Sequence, residues 1–382
     1  MTSIGWLPCD WDVVAIKDVT SIVTGATPST AVKEYWGGEI PWMSSGELNQ
    51  KFVRSVVGRI TQEGYNNCGT HMVPNHCVLI GLAGQGKTRG TAAYNTIPLC
   101  TNQSIASILP SASFDSLYLY YWIDSQYNYL RLLSAGDGGR GGLNKQLLLN
   151  LHVPQPSLAE QKRIADALFG IDQLIDSINE SITKKRQIKD GLMQQLLTGK
   201  TRLPGFSGEW VERRLDSFEI VNGSMLKSSE YEIGNVPVIA GGQTPAGFHS
   251  KANRPANTIT ISGSGAYAGF VSFHPVPIFA SDCSTINNPK NADIIYLYFC
   301  LLSKQKDIYK CQAGGAQPHV HAKDIKDITI MMPSSVEEQK AISVVLTKSD
   351  EEIKGLEAQR DKYALIKQGM MQELLTGKTR LI

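Results

Sequence analysis

The 382-residue sequence lacks several features that would assign it at once to a common class of protein. Its 37 basic and 35 acidic residues leave a net charge of only +2, so no overall basic excess indicates nucleic-acid binding. The seven cysteines form no Cys-x-x-Cys pair, and an odd number in a long chain favours free thiols over a disulfide framework. We find neither a signal-peptide pattern nor an apolar run long enough to span a membrane. We therefore expect a cytoplasmic protein that has no membrane partner.

Signatures of catalysis are equally scarce. The sequence contains no Asn-Pro-Pro-aromatic or Asp-Pro-Pro-Tyr tetrapeptide, so it carries no methyltransferase signature. Glu160-x-Lys162 and Glu338-x-Lys340 resemble half of a nuclease motif, but no acidic strand residue precedes them. Both lie at predicted helix starts, where we interpret them as capping residues and helix-surface charges.

Two histidine-containing segments are weak candidates for a metal site. Cys68, His71, His76 and Cys77 are close in sequence, but their spacing matches no common zinc site. His319 and His321 have no acidic neighbours that would complete a metal site. We therefore expect no metal at either segment.

Residues 81–88 match the phosphate-binding pattern Gly-x-x-x-x-Gly-Lys-Thr at every required position. Such a loop binds phosphate because a helix N-terminus follows it. Here Arg89-Gly90-Thr91 follows, and then a β-like run to Tyr94. The corresponding loop, residues 262–269, has no Gly-Lys-Thr. A nucleotide-binding protein that uses Gly81 to Thr88 is kept as an alternative.

An internal repeat organises the whole chain. Glu160-Gln161-Lys162 recurs 178 positions later as Glu338-Gln339-Lys340. Residues 196–203, with the sequence LLTGKTRL, recur at 374–381 with the same displacement. Each repeated segment follows a variable region. We place the boundaries so that variable regions occupy 1–155 and 204–332 and the repeated segments occupy 156–203 and 333–382.

The repeated segments read as two long helices. Ser157 and Ser335 are predicted N-caps, and Gly199 and Gly377 suit helix C-termini. Apolar residues recur with alternating spacings of four and three, which is the heptad pattern of helices that pack on each other. The predicted seam consists of Ile164, Leu168, Ile171, Ile175, Ile178, Ile182, Leu192 and Leu196 in the first copy, and Ile342, Leu346, Ile353, Leu356, Met370 and Leu374 in the second.

The variable regions have short β-like runs that lead into glycine-rich turns, such as residues 77–80 and 258–261. One helix is predicted over Leu117 to Leu133 and its counterpart over Ile294 to Tyr309. We predict an α+β fold with a pseudo-twofold repeat. In it, two mixed, β-rich domains are separated by two long helices packed as an antiparallel coiled coil.

The repeated motif carries a family resemblance. Pro156 and Glu160-Gln161-Lys162 opening a heptad helix, closed by Leu-Leu-Thr-Gly-Lys and repeated after a variable region, resemble the specificity subunits of type I restriction–modification systems. In the second copy Pro333 stands one position earlier relative to Glu338. The resemblance covers essentially the whole chain.

The resemblance implies a protein that is not an enzyme. In this family two target recognition domains each read half of a bipartite DNA site, and the paired helices fix the distance between them. Two methyltransferase subunits dock on the helices, and two restriction subunits can join. The chain itself is expected to have no cofactor, because S-adenosylmethionine, ATP and Mg belong to those partner subunits.

Candidate DNA contacts are polar and basic residues at the tips of predicted loops, since arginine, asparagine and glutamine read base edges and lysine mostly binds phosphate. In the first half they are Gln85, Lys87, Arg89, Asn102, Gln103, Arg140, Asn144 and Lys145, and in the second half Gln243, Thr244, Ser264, Tyr267, Gln317, His319, His321 and Lys323. A coiled-coil scaffold without DNA specificity is the remaining alternative.

The seam generates the first prediction. Ile175→Asp or Ile353→Asp would place an unpaired charge between the helices, where desolvation is costly. We expect a lower melting temperature and impaired assembly with methyltransferase subunits, measured by thermal denaturation and co-purification. Wild-type behaviour of both variants would refute the seam.

Overall fold

The computed structural model describes residues 5–84, 86–134 and 142–382. Its contacts divide the chain into two compact units. Unit 1 comprises Met1–Ser177 and Gln359–Ile382, and unit 2 comprises Ile178–Ala358. Each unit therefore combines one variable region with part of each repeated segment. The four consecutive segments predicted above divide the chain along its length and stay a prediction.

Unit 1 begins with short strands and ends in a long helix. Its described strands are β1 (Asp12–Ala15), β2 (Ile22–Thr24), β3 (Trp36–Met43), β4 (Phe52–Val53), β5 (Arg59–Ile60), β6 (Val78–Gly81), β7 (Ala92–Asn95), β8 (Cys100–Thr101), β9 (Ile105–Ile108) and β10 (His152–Gln155). Its described helices are α1 (Ile16–Val19), α2 (Gln62–Asn66), α3 (Ser116–Ser125), α4 (Tyr127–Leu133), α5 (Lys145–Leu149) and α6 (Leu158–Leu196), the last continuing into unit 2.

The strands of unit 1 form a main sheet and two smaller ones. The main sheet has the order β2-β9-β6-β7-β4, and β6 is antiparallel to both of its neighbours. The second sheet has the order β5-β3-β8, in which β3 runs parallel to β8. β1 pairs with β10. Every residue of β6, β7 and β9 is buried, as expected for short apolar strands at the centre of a sheet.

Unit 2 repeats this topology. Its described strands are β11 (Trp210–Arg214), β12 (Val221–Asn222), β13 (Val236–Ile239), β14 (Gly247–His249), β15 (Thr258–Ser262), β16 (Val271–His274), β17 (Phe279–Ala280), β18 (Cys283–Ile286) and β19 (Thr329–Pro333), and its helices are α7 (Ile294–Ser303), α8 (Gln305–Lys310), α9 (Ala322–Ile325) and α10 (Val336–Leu374), which continues into unit 1. The four-stranded sheet β12-β18-β15-β16 matches the first four strands of the five-stranded main sheet of unit 1, β14-β13-β17 matches β5-β3-β8, and β11 pairs with β19 as β1 does with β10. The predicted α+β architecture and its internal repeat are confirmed.

The helices predicted over 117–133 and 294–309 are each interrupted, so that part of the prediction is wrong. α3 and α4 meet at Gln126, and α7 and α8 meet at Lys304. At both breaks the preceding serine, Ser125 or Ser303, donates its hydroxyl to the carbonyl three residues back. Such a bond competes with the helix for a backbone acceptor, and the chain turns there.

The long helices α6 and α10 contain 39 residues each. Within each unit the two helices run antiparallel, because contacts further along the first helix meet positions further back along the second. In unit 1 Glu160 binds Arg380 and Asp172 binds Lys367, and in unit 2 Lys189 binds Asp350 and Arg202 binds Glu338. All fourteen predicted seam residues are at least partly buried. Ile164, Leu168, Ile178, Ile182, Leu196, Ile342, Leu346, Ile353 and Leu374 are buried, and Ile171, Ile175, Leu192, Leu356 and Met370 are partly buried. Among the described helices, none is long and apolar enough to cross a membrane.

The Glu-Gln-Lys motif ties each long helix to its unit. Ser157 accepts the backbone N–H of Glu160, as a helix N-cap does. The next residue, Gln161, is fully buried: its amide donates to the carbonyl of Pro156 and accepts from the backbone of Asp115, the N-cap of α3. Gln339 makes the same two bonds in unit 2.

The two motif glutamates are not surface charges, and that interpretation is wrong. Glu160 is 3% exposed and accepts hydrogen bonds from Nε and Nη2 of Arg380 at 2.6 and 2.8 Å. Glu338 is 1% exposed and binds Arg202 at 2.6 and 2.7 Å. Thus the opening residue of one repeat copy always binds the closing arginine of the other copy.

An indole completes each of these arginine clamps. The Arg380 guanidinium lies 5.5 Å from the ring centre of Trp11, and that of Arg202 lies 5.6 Å from Trp210. The same indoles pack against the glycines that end the helices. A Cβ on Gly377 would lie 3.1 Å from Trp11, and one on Gly199 the same distance from Trp210. Both glycines have positive φ, so they serve as helix terminators and as packing surfaces.

The clamps generate the second prediction. Arg380→Gln leaves the buried Glu160 carboxylate without its cation, and we expect it to lower the free energy of unfolding by about 3 kcal/mol. Lys378→Gln, an exposed charge in the same motif, is the matched control and should change it by less than about 0.5 kcal/mol. Chemical denaturation measures both. Equal denaturation midpoints for the two variants would contradict the clamp.

The clamp should also depend on pH. The hydrogen bonds that Glu160 accepts from Arg380 hold the pKa of the Glu160 carboxyl below its usual value of 4.5. A lowered pKa contributes stability that is present above the unfolded-state pKa and is lost as pH falls through the folded-state pKa. The difference between wild type and Arg380→Gln should therefore be constant near neutral pH and shrink below pH 4.5.

Candidate nucleic-acid interface

A glycine-rich loop, residues 82–91, connects the antiparallel strands β6 and β7 of unit 1. Two side chains of α4 donate hydrogen bonds to the backbone of this loop. Arg131 donates to the carbonyl of Gly86 at 2.7 Å, and the Tyr127 hydroxyl donates to that of Lys87 at 3.1 Å. Arg89 bonds back to the carbonyl of Gly84. The carbonyls of the loop are thus turned toward cations and a hydroxyl.

This geometry differs from that of a phosphate-binding loop. Such loops point backbone N–H groups at the phosphate and continue into a helix. Here the loop closes a hairpin, and β7 begins at Ala92. Residues 81–88 therefore match the sequence pattern of a phosphate-binding loop but do not have its structure.

Three further segments of unit 1 converge on this loop. Leu82 donates its N–H to the carbonyl of Ser104 at 2.8 Å, which brings the β8–β9 turn alongside. The Thr27 hydroxyl binds the Gln103 side chain at 2.6 Å, which adds the segment after β2. A Cβ on Gly142 would lie 3.6 Å from Leu82, so the segment before α5 is adjacent too. We call residues 25–29, 82–91, 102–104 and 142–145, apart from the undescribed Gln85, face 1.

Unit 2 assembles an equivalent surface from equivalent segments. Gly263 donates to the carbonyl of Asp282 at 3.0 Å, as Leu82 does to Ser104 in unit 1. Gly265 donates to Pro318, and Ser264 pairs with His319, so the 313–321 loop joins the β15–β16 loop. A Cβ on Gly241 would lie 2.4 Å from the Ser264 carbonyl, so the β13–β14 loop is adjacent. We call residues 240–246, 263–269, 281–282 and 313–323 face 2.

The structure places the first-half candidates on face 1 in different roles. Lys87, Gln103 and Lys145 are exposed. Asn102 accepts from the backbone of Ser104, and Asn144 caps α5 by accepting from Leu147, so both side chains also stabilise local turns. Arg89 is partly buried and also donates to Ser134. Gln85 and Arg140 lie outside the described residues.

The second-half candidates all fall on face 2. Gln243, Thr244, Tyr267, Gln317, His321 and Lys323 are exposed, and Ser264 and His319 are partly buried. The rings of His319 and His321 lie parallel with centres 6.1 Å apart. The backbone N–H of His321 is held by Asp324 at the start of α9. The sequence therefore located two surfaces, but it did not show that several loops meet in each.

Two glycines that sequence reasoning missed allow the segments of each face to meet. A Cβ on Gly25 would lie 1.8 Å from the Thr101 carbonyl oxygen, and one on Gly223 would lie 2.0 Å from that of Ser281. Only glycine permits so close an approach. The signal was present, because residues 22–25 and 220–223 share the pattern Ile, Val, polar, Gly, in which the glycine directly follows a short strand. The approach places Thr27 beside Gln103.

In the cluster of Cys68, His71, His76 and Cys77, the side chains of His76 and Cys77 make hydrogen bonds within unit 1. The Cys77 thiol donates to the carbonyl of Pro74, and burial raises its pKa to about 12. His76 binds the Tyr94 hydroxyl at 2.6 Å. Within residues 5–84, 86–134 and 142–382, no group of three or more His, Cys, Asp and Glu side chains is placed to hold a metal ion.

Comparison with known proteins identifies the repeat. Residues 8–189 and 207–363 each match the family described as type I restriction modification DNA specificity domain. The specificity subunit of the type I restriction enzyme MjaVIII from Methanocaldococcus jannaschii is 24% identical over 416 aligned positions, covering 98% of this chain and 94% of that protein. The MjaIX specificity subunit from the same organism is 35% identical over 184 residues, 46% of this chain and 41% of that relative.

Solved structures share the fold. The S subunit of a type I restriction-modification system from M. genitalium superimposes with a TM-score of 0.69 at 19% identity, covering 98% of both chains. A structure described as the basis of complex assembly and conformational transition of the type I R-M system gives 0.58 at 15% identity.

The close approach at Gly25 generates the third prediction. Gly25→Ala pushes a methyl group into the Thr101 carbonyl, and overpacking of this kind costs about 1–3 kcal/mol. Gly69→Ala is the control, because its Cβ would meet nothing within 4 Å. We expect a lower melting temperature for Gly25→Ala alone, measured by calorimetry. A melting temperature equal to that of the control would show that face 1 tolerates a wider separation of its segments.

Proposed function

The chain belongs to the type I restriction–modification DNA specificity family, and we propose that it reads a bipartite DNA target with face 1 and face 2. The observation that carries this proposal is the pair of equivalent multi-loop faces, one in each unit. Loops that carry polar tips on a sheet scaffold are the usual location of recognition residues. The chain as a whole supplies recognition and no catalysis.

The chemistry of the faces supports two unlike half-sites. Face 1 carries Lys87, Arg89 and Lys145, which suit phosphate contact and guanine recognition. Face 2 carries a histidine pair, a tyrosine and the Asp282 carboxylate, with Lys323 as a cation. Because the two sets of side chains differ while the scaffolds match, the two readers should dock alike and select different bases.

The helix pair is proposed to set the spacing of the half-sites and to dock the partner subunits. α6 and α10 each contribute to both units, so the readers share a single continuous spacer. Two recognition modules on one spacer gain affinity through effective concentration when their separation fits the DNA. Two adenine-N6 methyltransferase subunits would bind this helix pair in the cytoplasm, and two restriction subunits could then join the complex. They would supply S-adenosylmethionine, ATP and Mg.

The fourth prediction tests this function. We expect co-expression of the chain with its methyltransferase subunit to produce N6-methyladenine at a split motif, two short unlike sequences around a fixed gap. Single-molecule sequencing of host DNA measures it. Exchange of residues 1–155 for those of another family member should replace one half of the motif. Methylation that is absent, or that is unchanged by the exchange, would leave a scaffold without DNA specificity.

The nucleotide-binding alternative has a simple test. Saturable ATP binding by the isolated chain, lost in Lys87→Ala, would favour it. The hairpin geometry of residues 82–91 argues for the opposite result.

A further inference from the structure

The turn before β9 in unit 1 and the turn before β18 in unit 2 correspond to each other, and each presents a polar side chain on its face. Asn102 donates its N–H to the carbonyl of Met43 at the end of β3, and Ser281 does the same to Ile239 at the end of β13. The next residues are Gln103 and Asp282. The turn of unit 1 has three residues before the next strand, 102–104, and that of unit 2 has two, 281–282. Asp282 therefore corresponds to Gln103 when counted from this bond and to Ser104 when counted from the strand that follows. The corresponding turns thus present an amide in unit 1 and a carboxylate in unit 2.

Asp282 is held in place without a cation. Its carboxylate accepts a hydrogen bond from the Ser264 hydroxyl. A Cβ on Gly263 would lie 2.5 Å from this carboxylate, and one on Gly241 would lie 3.5 Å from it, so two glycines flank the group closely. Among the ion pairs of the described residues, none includes Asp282.

An unpaired carboxylate on a DNA-reading face restricts what it can contact. It only accepts hydrogen bonds, and it repels phosphate. The donors on base edges in the major groove are the amino groups of cytosine N4 and adenine N6. Aspartate suits the single amino group of cytosine, because adenine N7 beside N6 needs a donor that a carboxylate lacks.

Gln103 has the complementary chemistry. Its side-chain oxygen accepts from Thr27 at 2.6 Å, which orients the amide, and the side chain remains exposed. An amide can accept from adenine N6 and donate to adenine N7 at the same time.

On the basis of the proposed function, we infer that Gln103 and Asp282 are specificity-determining residues on corresponding turns of the two units. Gln103 selects an adenine in the half-site read by unit 1, and Asp282 selects a cytosine in the half-site read by unit 2. The difference between the Gln103 amide and the Asp282 carboxylate is one reason why the two half-sites differ.

Isosteric exchanges test the inference with little risk to folding. Asp282→Asn and Gln103→Glu are prepared in the full chain, assembled with methyltransferase subunits and mixed with DNA randomised in both half-sites. The bound sequences are then determined. Glu212→Gln removes the same charge from an exposed position on β11 and is the matched control.

Asp282→Asn should relax the requirement for cytosine at one position of one half-site by about tenfold or more, with the other half-site unchanged. Gln103→Glu should relax the requirement for adenine at one position of the other half-site. Unchanged preferences at every position would overturn the inference, as would the loss of binding to all sequences.

A second exchange separates this inference from the proposed function. Residues 204–332 are replaced by those of another family member in the same assay. If the exchange of residues 204–332 changes one half-site while Asp282→Asn leaves every base preference unchanged, the inference is wrong and the proposed function stands. If neither the exchange nor Asp282→Asn changes any base preference, the proposed function is wrong as well.

Discussion

The architecture depends on two buried ion pairs that each join the two repeat copies. Glu160 of the first copy binds Arg380 of the second, and Glu338 of the second binds Arg202 of the first. A carboxylate that is 1–3% exposed would be strongly destabilised without its cation, so neither unit is complete until both copies are present. The exchange explains why each compact unit contains parts that are distant in sequence.

Around each clamp the same contacts recur with different side chains. Lys367 lies 5.3 Å from the Tyr121 ring in unit 1, and Lys189 lies 5.5 Å from Phe299 in unit 2, each while bound to an aspartate of the opposite helix. The helix-facing side of each unit is thus nearly identical. The recognition faces keep the loop framework and change its chemistry. Under the proposed function, this separation would let recognition vary without disturbing the helix pair.

The glycines show how the framework limits that variation. Gly25 and Gly223 sit where a Cβ would overlap a carbonyl of the neighbouring turn, and Gly241 and Gly263 flank the Asp282 carboxylate. These positions bring segments together, while the residues next to them present polar groups. Under the proposed function, such a protein would change its target through side chains such as Gln103, since the backbone that carries them is held by these close approaches.

The sequence by itself determined the repeat and the two long helices, because periodicity and a fixed offset of 178 are local or translational signals. It also located the glycine-rich loops, since glycine marks turns wherever they occur. Only the tertiary structure decided that Glu160 is a buried partner of Arg380, 220 positions away, and that the pattern in residues 81–88 closes a hairpin. Nor could periodicity bring Thr27 to Gln103 or place Asp282 on the corresponding turn of unit 2. Such pairings depend on how the sheets fold back on themselves, which no local pattern of residues specifies.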